Sequence, residues 1–158
     1  MEILFVREVM RTTIVALPAE ATIEEARDLI RPGHRPRGQY LFPVVDEQRR
    51  LVGVVSRNHL LKAYEESPVA AAARRLNEII IGDPVVAFQD EPLRVVVYRM
   101  VESGFTRLPV TDAGDEKSLL GMVSLNDLLR ARSRNLEEER ARERVLRLRM
   151  PLRRRIRV

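Results

Sequence analysis

Two stretches of the chain carry residue types that could hold a ligand. GVVSRNHLL begins at Gly53 and GMVSLNDLL begins at Gly121, in a chain of 158 residues. Each places Ser three residues before a polar side chain: Ser56 before His59, and Ser124 before Asp127. Where a strand runs into a helix, Ser is an N-cap whose oxygen accepts an amide N–H of the first turn. An acid three residues on completes a capping box, and this structural role alone accounts for Ser-x-x-Asp at an ordinary junction. The same junction can also do chemistry. Its free N–H groups and positive dipole end suit a phosphate. A Ser hydroxyl there can donate to a phosphate oxygen, and a carboxylate one turn in can accept from both hydroxyls of a ribose, as acids do in dinucleotide folds. A neutral imidazole accepts at one nitrogen only, so His59 cannot substitute for Asp127 in that role.

Little else in the composition offers a reaction centre. The chain has no Cys, which removes disulfides, thiolate metal sites and cysteine nucleophiles together and suits a reducing compartment. Only His34 and His59 supply imidazole, in unrelated contexts. There is no phosphate-binding Gly loop, no catalytic carboxylate pair and no Ser/His/acid set, so no enzyme and no obligatory cofactor are expected. Apolar runs such as RVVVYRMV are interrupted by arginine and fall short of the ~18–20 residues that span a bilayer. MEILFVREVM is acidic at its second residue and lacks a small-residue cleavage site, which argues against a signal peptide. A cytoplasmic location is the expectation.

The elements that must position Ser124 and Asp127 also occur twice. TIVALPAEATIEEARDLI overlies PVVAFQDEPLRVVVYRM at a shift of 70 residues. Ile14–Ala16 and Pro84–Val86 read as short β-branched strands. Thr22 with Glu25 forms a capping box, and Ile23, Ala26, Leu29 and Ile30 give the helix behind it an apolar face. In the second copy Pro92 fits a first helical turn, Leu93, Val96, Val97, Met100 and Val101 follow at helical spacing, and Gly104 can end the helix. YLFPVVD (40–46) with LVGVVS (51–56), and RLPVTD (107–112) with LLGMVS (119–124), read as hairpins, each followed by a closing helix. One unit of about 60 residues is marginal alone, and two packed face to face would share a core. The stretch 66–80 reads as a Pro turn leading into a helix.

The paired PVVD and PVTD strands and the repeated Gly-x-x-Ser-x-x-[Asp/His]-Leu phrase resemble a tandem pair of cystathionine-β-synthase (CBS) domains, a Bateman module, over roughly residues 4–132. The resemblance implies an α/β (α+β) fold: two CBS repeats, each strand-helix-strand-strand-helix, packed with pseudo-twofold symmetry, plus a long charged C-terminal helix. The divisions are 4–65, a linker at 66–75, 76–132, and a helix with basic tail at 133–158. It implies a regulatory module that binds an adenosine nucleotide (ATP, ADP or AMP) between the repeats and associates as a homodimer; a ligand-free dimerisation scaffold is the alternative. Adenine would lie between apolar walls, its edge read by backbone near the first strand. Carried over by position, Asp127 takes the ribose, Ser124 and Arg107 the phosphates, and Asp83, Pro84 and Val85 border the adenine. Capping for Ser124, a turn for Asp83 and a solvated strand end for Arg107 remain alternatives. The first copy departs from the pattern. His59 replaces the acid, Leu41 replaces the Arg, and RPGHRPRGQ adds four residues, so Ser56, His59, Thr13 and Ile14 form a degenerate first site.

The net charge of +5 is concentrated at the end of the chain, where residues 130–158 hold 12 Arg against 4 Glu. DLLRARSRNLEEERARERVLRLR (127–149) reads as one charged helix with Glu138–Arg142 and Glu143–Arg147 in the favourable i,i+4 order. SLNDLLRARSRNLEEERARER resembles the end of the cytosolic CBS region of bacterial ClC-type chloride channels and transporters. That implies attachment to such a membrane domain at the cytosolic face; a free-standing module is the alternative. MPLRRRIRV could lie on anionic lipid or bind nucleic acid without sequence preference. The lack of stacking aromatics in the tail argues against nucleic acid.

Overall fold

The computed structural model describes residues 2–149, so the basic cluster at 150–158 lies outside the described residues. The first unit runs β1 (Leu17–Pro18), α1 (Ile23–Leu29), β2 (Leu41–Val45), β3 (Leu51–Ser56) and α2 (Arg57–Glu66). A short helix α3 (Pro68–Ala71) and strand β4 (Ile81–Gly82) connect it to the second. The second unit runs β5 (Ala87–Phe88), α4 (Leu93–Ser103), β6 (Arg107–Asp112), β7 (Asp115–Ser124) and α5 (Leu125–Arg149). Both units therefore have the expected strand-helix-strand-strand-helix order. In each sheet the short first strand pairs parallel to the second, which pairs antiparallel to the third. Leu41 lies opposite Ser56 and Arg107 opposite Ser124, so each capping serine sits beside the start of the preceding strand.

Local signals place most helix ends. Thr22 Oγ1 accepts the Glu25 amide at 3.1 Å and Glu25 accepts the Thr22 amide at 3.0 Å, the expected box. Gly104 closes α4 at φ 77, a left-handed cap that glycine adopts without a Cβ clash. Pro92 is the N-cap of α4 rather than a residue of its first turn. Leu29 and Val101, expected on apolar faces, are exposed. The helix expected within 66–80 ends at Ala71, after one turn begun by Pro68.

Both first strands lie three residues later than expected. Ile14–Ala16 and Pro84–Val86 pair with no strand, and side chains bond part of their backbone instead. Gln39 bonds both the N–H and the C=O of Val15, and Arg99 donates to the Val86 carbonyl at 2.9 Å. β-branched residues declare an extended backbone but not the partner that pairs with it.

In place of one shared core there are two clusters, each completed by the other repeat's lead-in segment. A 3-10 turn at Val6–Glu8 inserts Val6 among Ala87, Leu93, Val96, Leu108 and Leu128 of the second repeat. A matching turn at Leu76–Glu78 inserts Leu76 among Leu17, Ile23, Phe42 and Leu60 of the first. Both inserted side chains are 0% exposed, and each such burial contributes roughly 1.5–3 kcal/mol. The backbone repeats the exchange: Arg7 N–H donates to Gln89 O at 2.9 Å as Asn77 N–H donates to Ala19 O at 3.1 Å.

The exchange explains the glycine that opens each repeated phrase. β4 pairs with β3 beside Gly53, and a Cβ there would lie 2.6 Å from the Ile81 carbonyl oxygen. On the second sheet Arg11 takes the position of β4. Its N–H donates to Met122 O at 2.8 Å, and a Cβ on Gly121 would collide with the Arg11 carbonyl oxygen. Across the pseudo-twofold, Arg50 reaches from the first hairpin to form a two-pronged ion pair with Asp115, at 2.9 and 3.0 Å.

Candidate functional site

β7 delivers Ser124 to the start of α5, and the capping box forms as the spacing requires. Asp127 N–H donates to Ser124 Oγ at 3.1 Å, and Ser124 N–H donates to Asp127 Oδ2 at 3.3 Å. The capping role of both residues is therefore real. Asp127 does more than cap, because its second oxygen faces the first repeat. There Arg11 Nε and Nη2 donate to Oδ1 at 3.2 and 2.9 Å. Asp127 is 9% exposed. Burial alone would raise its carboxyl, but hydrogen bonds from Arg11 and Ser124 outweigh burial and hold it below the ordinary aspartate range.

A hollow of about 30 Å³ opens beside this carboxylate between the repeats. Thr13, Ile14, Gln39 and Tyr40 line it from the first repeat, and Arg107, Met122, Ser124 and Asp127 from the second. Arg107 is exposed at the mouth, its guanidinium 5.2 Å from the Tyr40 ring centre. This grouping differs from the expected one. Thr13 and Ile14 were assigned to the His59 side, yet they stand with Asp127. Asp83, Pro84 and Val85 were assigned to Asp127, yet they do not line its hollow. Asp83 is exposed at φ 45, a turn conformation that Asp tolerates, and Val85 packs on the second core. The pseudo-twofold is the reason. It sets the closing helix of one repeat against the entry strand of the other, so residues close in sequence within one copy end on opposite faces.

The first repeat's counterpart is different. Ser56 Oγ accepts the His59 amide at 3.1 Å, so the cap persists, but His59 is exposed. It borders an open groove of about 440 Å³ with Lys62, Glu66 and Arg74, and none of Thr13, Ile14 or Asp83–Val85 lines that groove.

Sequence reading missed Arg11, Gln39 and Tyr40. A signal for Arg11 existed: shifted by 70, LFVREVMR (4–11) overlies RRLNEIII (74–81), with Val6 over Leu76, Glu8 over Glu78 and Val9 over Ile79. That match makes the segment before each first strand part of the repeat. Gln39 lies in the extra residues of the first copy, where no repeat could flag it. Among the described residues no group of three His, Cys, Asp or Glu could hold a metal ion, and no helix is long and apolar enough to cross a membrane.

Among curated proteins the chain is similar to the uncharacterized protein MJ1225 of Methanocaldococcus jannaschii, at 26% identity over 79% of this chain and 41% of that one. The chain thus spans less than half the length of that relative. Among solved structures it is similar to the cytosolic domain of the Mg2+ channel MgtE in complex with ATP, at 33% identity and a TM-score of 0.64, covering 78% of this chain and 46% of that one. It also superimposes on the CBS domain pair of protein MJ0100, crystallised with 5′-methylthioadenosine and S-adenosyl-L-methionine, at a TM-score of 0.68 and 22% identity over 85% of this chain and 99% of that one. The profile of the CBS domain matches twice, at residues 6–66 and 76–134, and both matches open on the exchanged 3-10 turns described above. The chain belongs to the CBS domain family, with one domain in each repeat.

Proposed function

We propose that the chain is a regulatory module, not a catalyst, which binds one adenosine nucleotide of the ATP, ADP or AMP class in the cleft at Asp127. The observation that carries this reading is the buried carboxyl of Asp127 at the start of a helix, facing Thr13 and Ile14 across the two repeats. A carboxylate there can accept from ribose hydroxyls, and Arg107 at the mouth can meet a phosphate. The ATP complex of the MgtE cytosolic domain supports the reading by likeness. The exposed His59 groove takes no nucleotide in this reading.

The test is thermal melting with millimolar ATP, ADP and AMP. A ligand at ~100 times its Kd adds about 2.7 kcal/mol, or roughly 5–10 °C for a chain of this size. Asp127→Ala should abolish the shift and His59→Ala should leave it. Flat curves for all three ligands reject the reading.

The partner belongs to the same proposal. The charged α5, continuous from the cleft, supports attachment to an ion-transport protein at the cytosolic face of a membrane, of the ClC type on the resemblance of residues 124–144. Tyr98 and Val101 on α4 and Leu129 on α5 are 66%, 75% and 58% exposed. They offer the apolar surface for a homodimer, to be read from sedimentation of the full chain.

A further inference from the structure

The hollow beside Asp127 is far below the ~300–1,000 Å³ of a small-molecule site. What fills it has a specific chemistry. Gln39 is 7% exposed, and its carboxamide is bonded to one backbone residue on both sides. Its Oε1 accepts the Val15 N–H at 2.9 Å, and its Nε2 donates to the Val15 carbonyl at 2.8 Å and to the Leu41 carbonyl at 3.3 Å. An acceptor beside a donor in one plane is also what the N1/N6 edge of adenine offers. Val15 follows Thr13 and Ile14, which line the hollow, so its amide and carbonyl would meet that edge once Gln39 withdrew. Arg11 meanwhile donates twice to Asp127 Oδ1, as the two hydroxyls of a ribose would.

The two side chains act as one device. Arg11 Nη1 donates to the Arg37 carbonyl at 2.9 Å, which ties it to the loop that carries Gln39. Gly38 lies between at φ 80, and a Cβ there would sit 3.4 Å from Arg11 Nη1. This loop holds the four residues that the second repeat lacks. The Arg11 backbone is anchored on Met122, so its side chain alone must move. Arg11 and Asp127 also wall a groove of about 520 Å³ between the lead-in segment and α5, which leaves the guanidinium room to withdraw.

We propose that Gln39 and Arg11 are a built-in stand-in for an adenine nucleoside: the cleft is held shut by its own chain, and a ligand enters by displacing both. This rests on the nucleotide reading of the same cleft and sharpens its chemistry. The stand-in competes for the base and the sugar, not for the phosphates. A ligand must therefore bring an adjacent acceptor and donor together with hydroxyls, and uncharged adenosine gains from release of the latch as much as AMP does.

The experiment uses the full chain, with adenosine and AMP titrated calorimetrically and residue-resolved amide exchange followed by NMR. The Val15 amide should exchange slowly in the wild type and at least about tenfold faster in Gln39→Ala. Arg11→Ala and Gln39→Ala should each bind adenosine at least about tenfold more tightly than the wild type, because the competing occupant is gone. Unchanged Val15 exchange in Gln39→Ala overturns the stand-in. So does binding that is no tighter in either variant while the wild type binds. Faster Val15 exchange with no binding by any variant overturns the nucleotide reading itself, and the stand-in with it. Should Gln39→Ala fail to fold, Arg11→Ala carries the affinity comparison, since its side chain is 39% exposed and packs in no core.

Discussion

At the start of α5 a carboxylate is buried beneath an arginine of the other repeat; at the start of α2 an imidazole stands in solvent beside an open groove. The backbones around the two are near copies, with the same serine cap, the same opposing register and the same glycine beneath an incoming carbonyl. The difference is carried by a few side chains and by the loop before β2. Duplication of a fold thus supplies two positions for a site, while Arg11, Gln39 and Asp127 make one of them a cleft. Substitutions at shared features should therefore act alike on both halves, and substitutions at unshared ones on one half alone.

The largest shared effect is expected at the exchanged turns. Leu76→Ala empties the first core although the residue follows the linker, and should cost about 2–5 kcal/mol by urea denaturation. Val6→Ala should hollow the second core by a smaller amount, since it removes fewer atoms. If either proved neutral, the exchange of lead-in segments would not be holding the cores together.

Next come the glycines. Gly53→Ala and Gly121→Ala each drive a Cβ into a backbone carbonyl and should each cost about 1–3 kcal/mol. Only Gly121→Ala pushes on Arg11, so it alone should also change the Asp127 carboxyl, read by its carbon-13 chemical shift. Equal changes there from both variants would erase the asymmetry between the halves.

The smallest effect is one of pH. The Asp127 carboxyl lies below its unfolded value, so its contribution to stability is present above the ordinary aspartate range and is lost as pH falls through the lowered folded-state value. Arg11→Ala removes one cause of that lowering and leaves the burial, so the carboxyl should move up toward its unfolded value and the loss of stability in acid should shrink. Urea midpoints measured between about pH 3 and pH 6 check this. His59→Ala should leave the same curve within about 0.5 kcal/mol throughout, as an exposed substitution does.

Much of this was legible because it is local. Thr22 with Glu25, Ser124 with Asp127, Gly104 and the paired hairpins are signals a few residues long, and each appears where its spacing put it. The grouping around Asp127 was not legible in the same way. Thr13 and Ile14 lie more than a hundred residues from Asp127 and come to it through the pseudo-twofold, whereas Asp83–Val85 were chosen for their place in the same copy. Strand positions 14–16 and 84–86 were misplaced because Gln39 and Arg99 take the bonds that a neighbouring strand would have made. Arg11 was hidden because its partner is decided by the crossing of the chain and not by its neighbours.

One consequence follows from the way α5 continues without a break from Leu125 to Arg149. At 1.5 Å per residue its 25 residues form a rod of roughly 37 Å pivoted at the Asp127 carboxylate. Each degree of tilt at that pivot sweeps the far end through about 0.6 Å on the same rise per residue. A tilt of about 5° at that end would thus carry the arm's tip through about 3 Å.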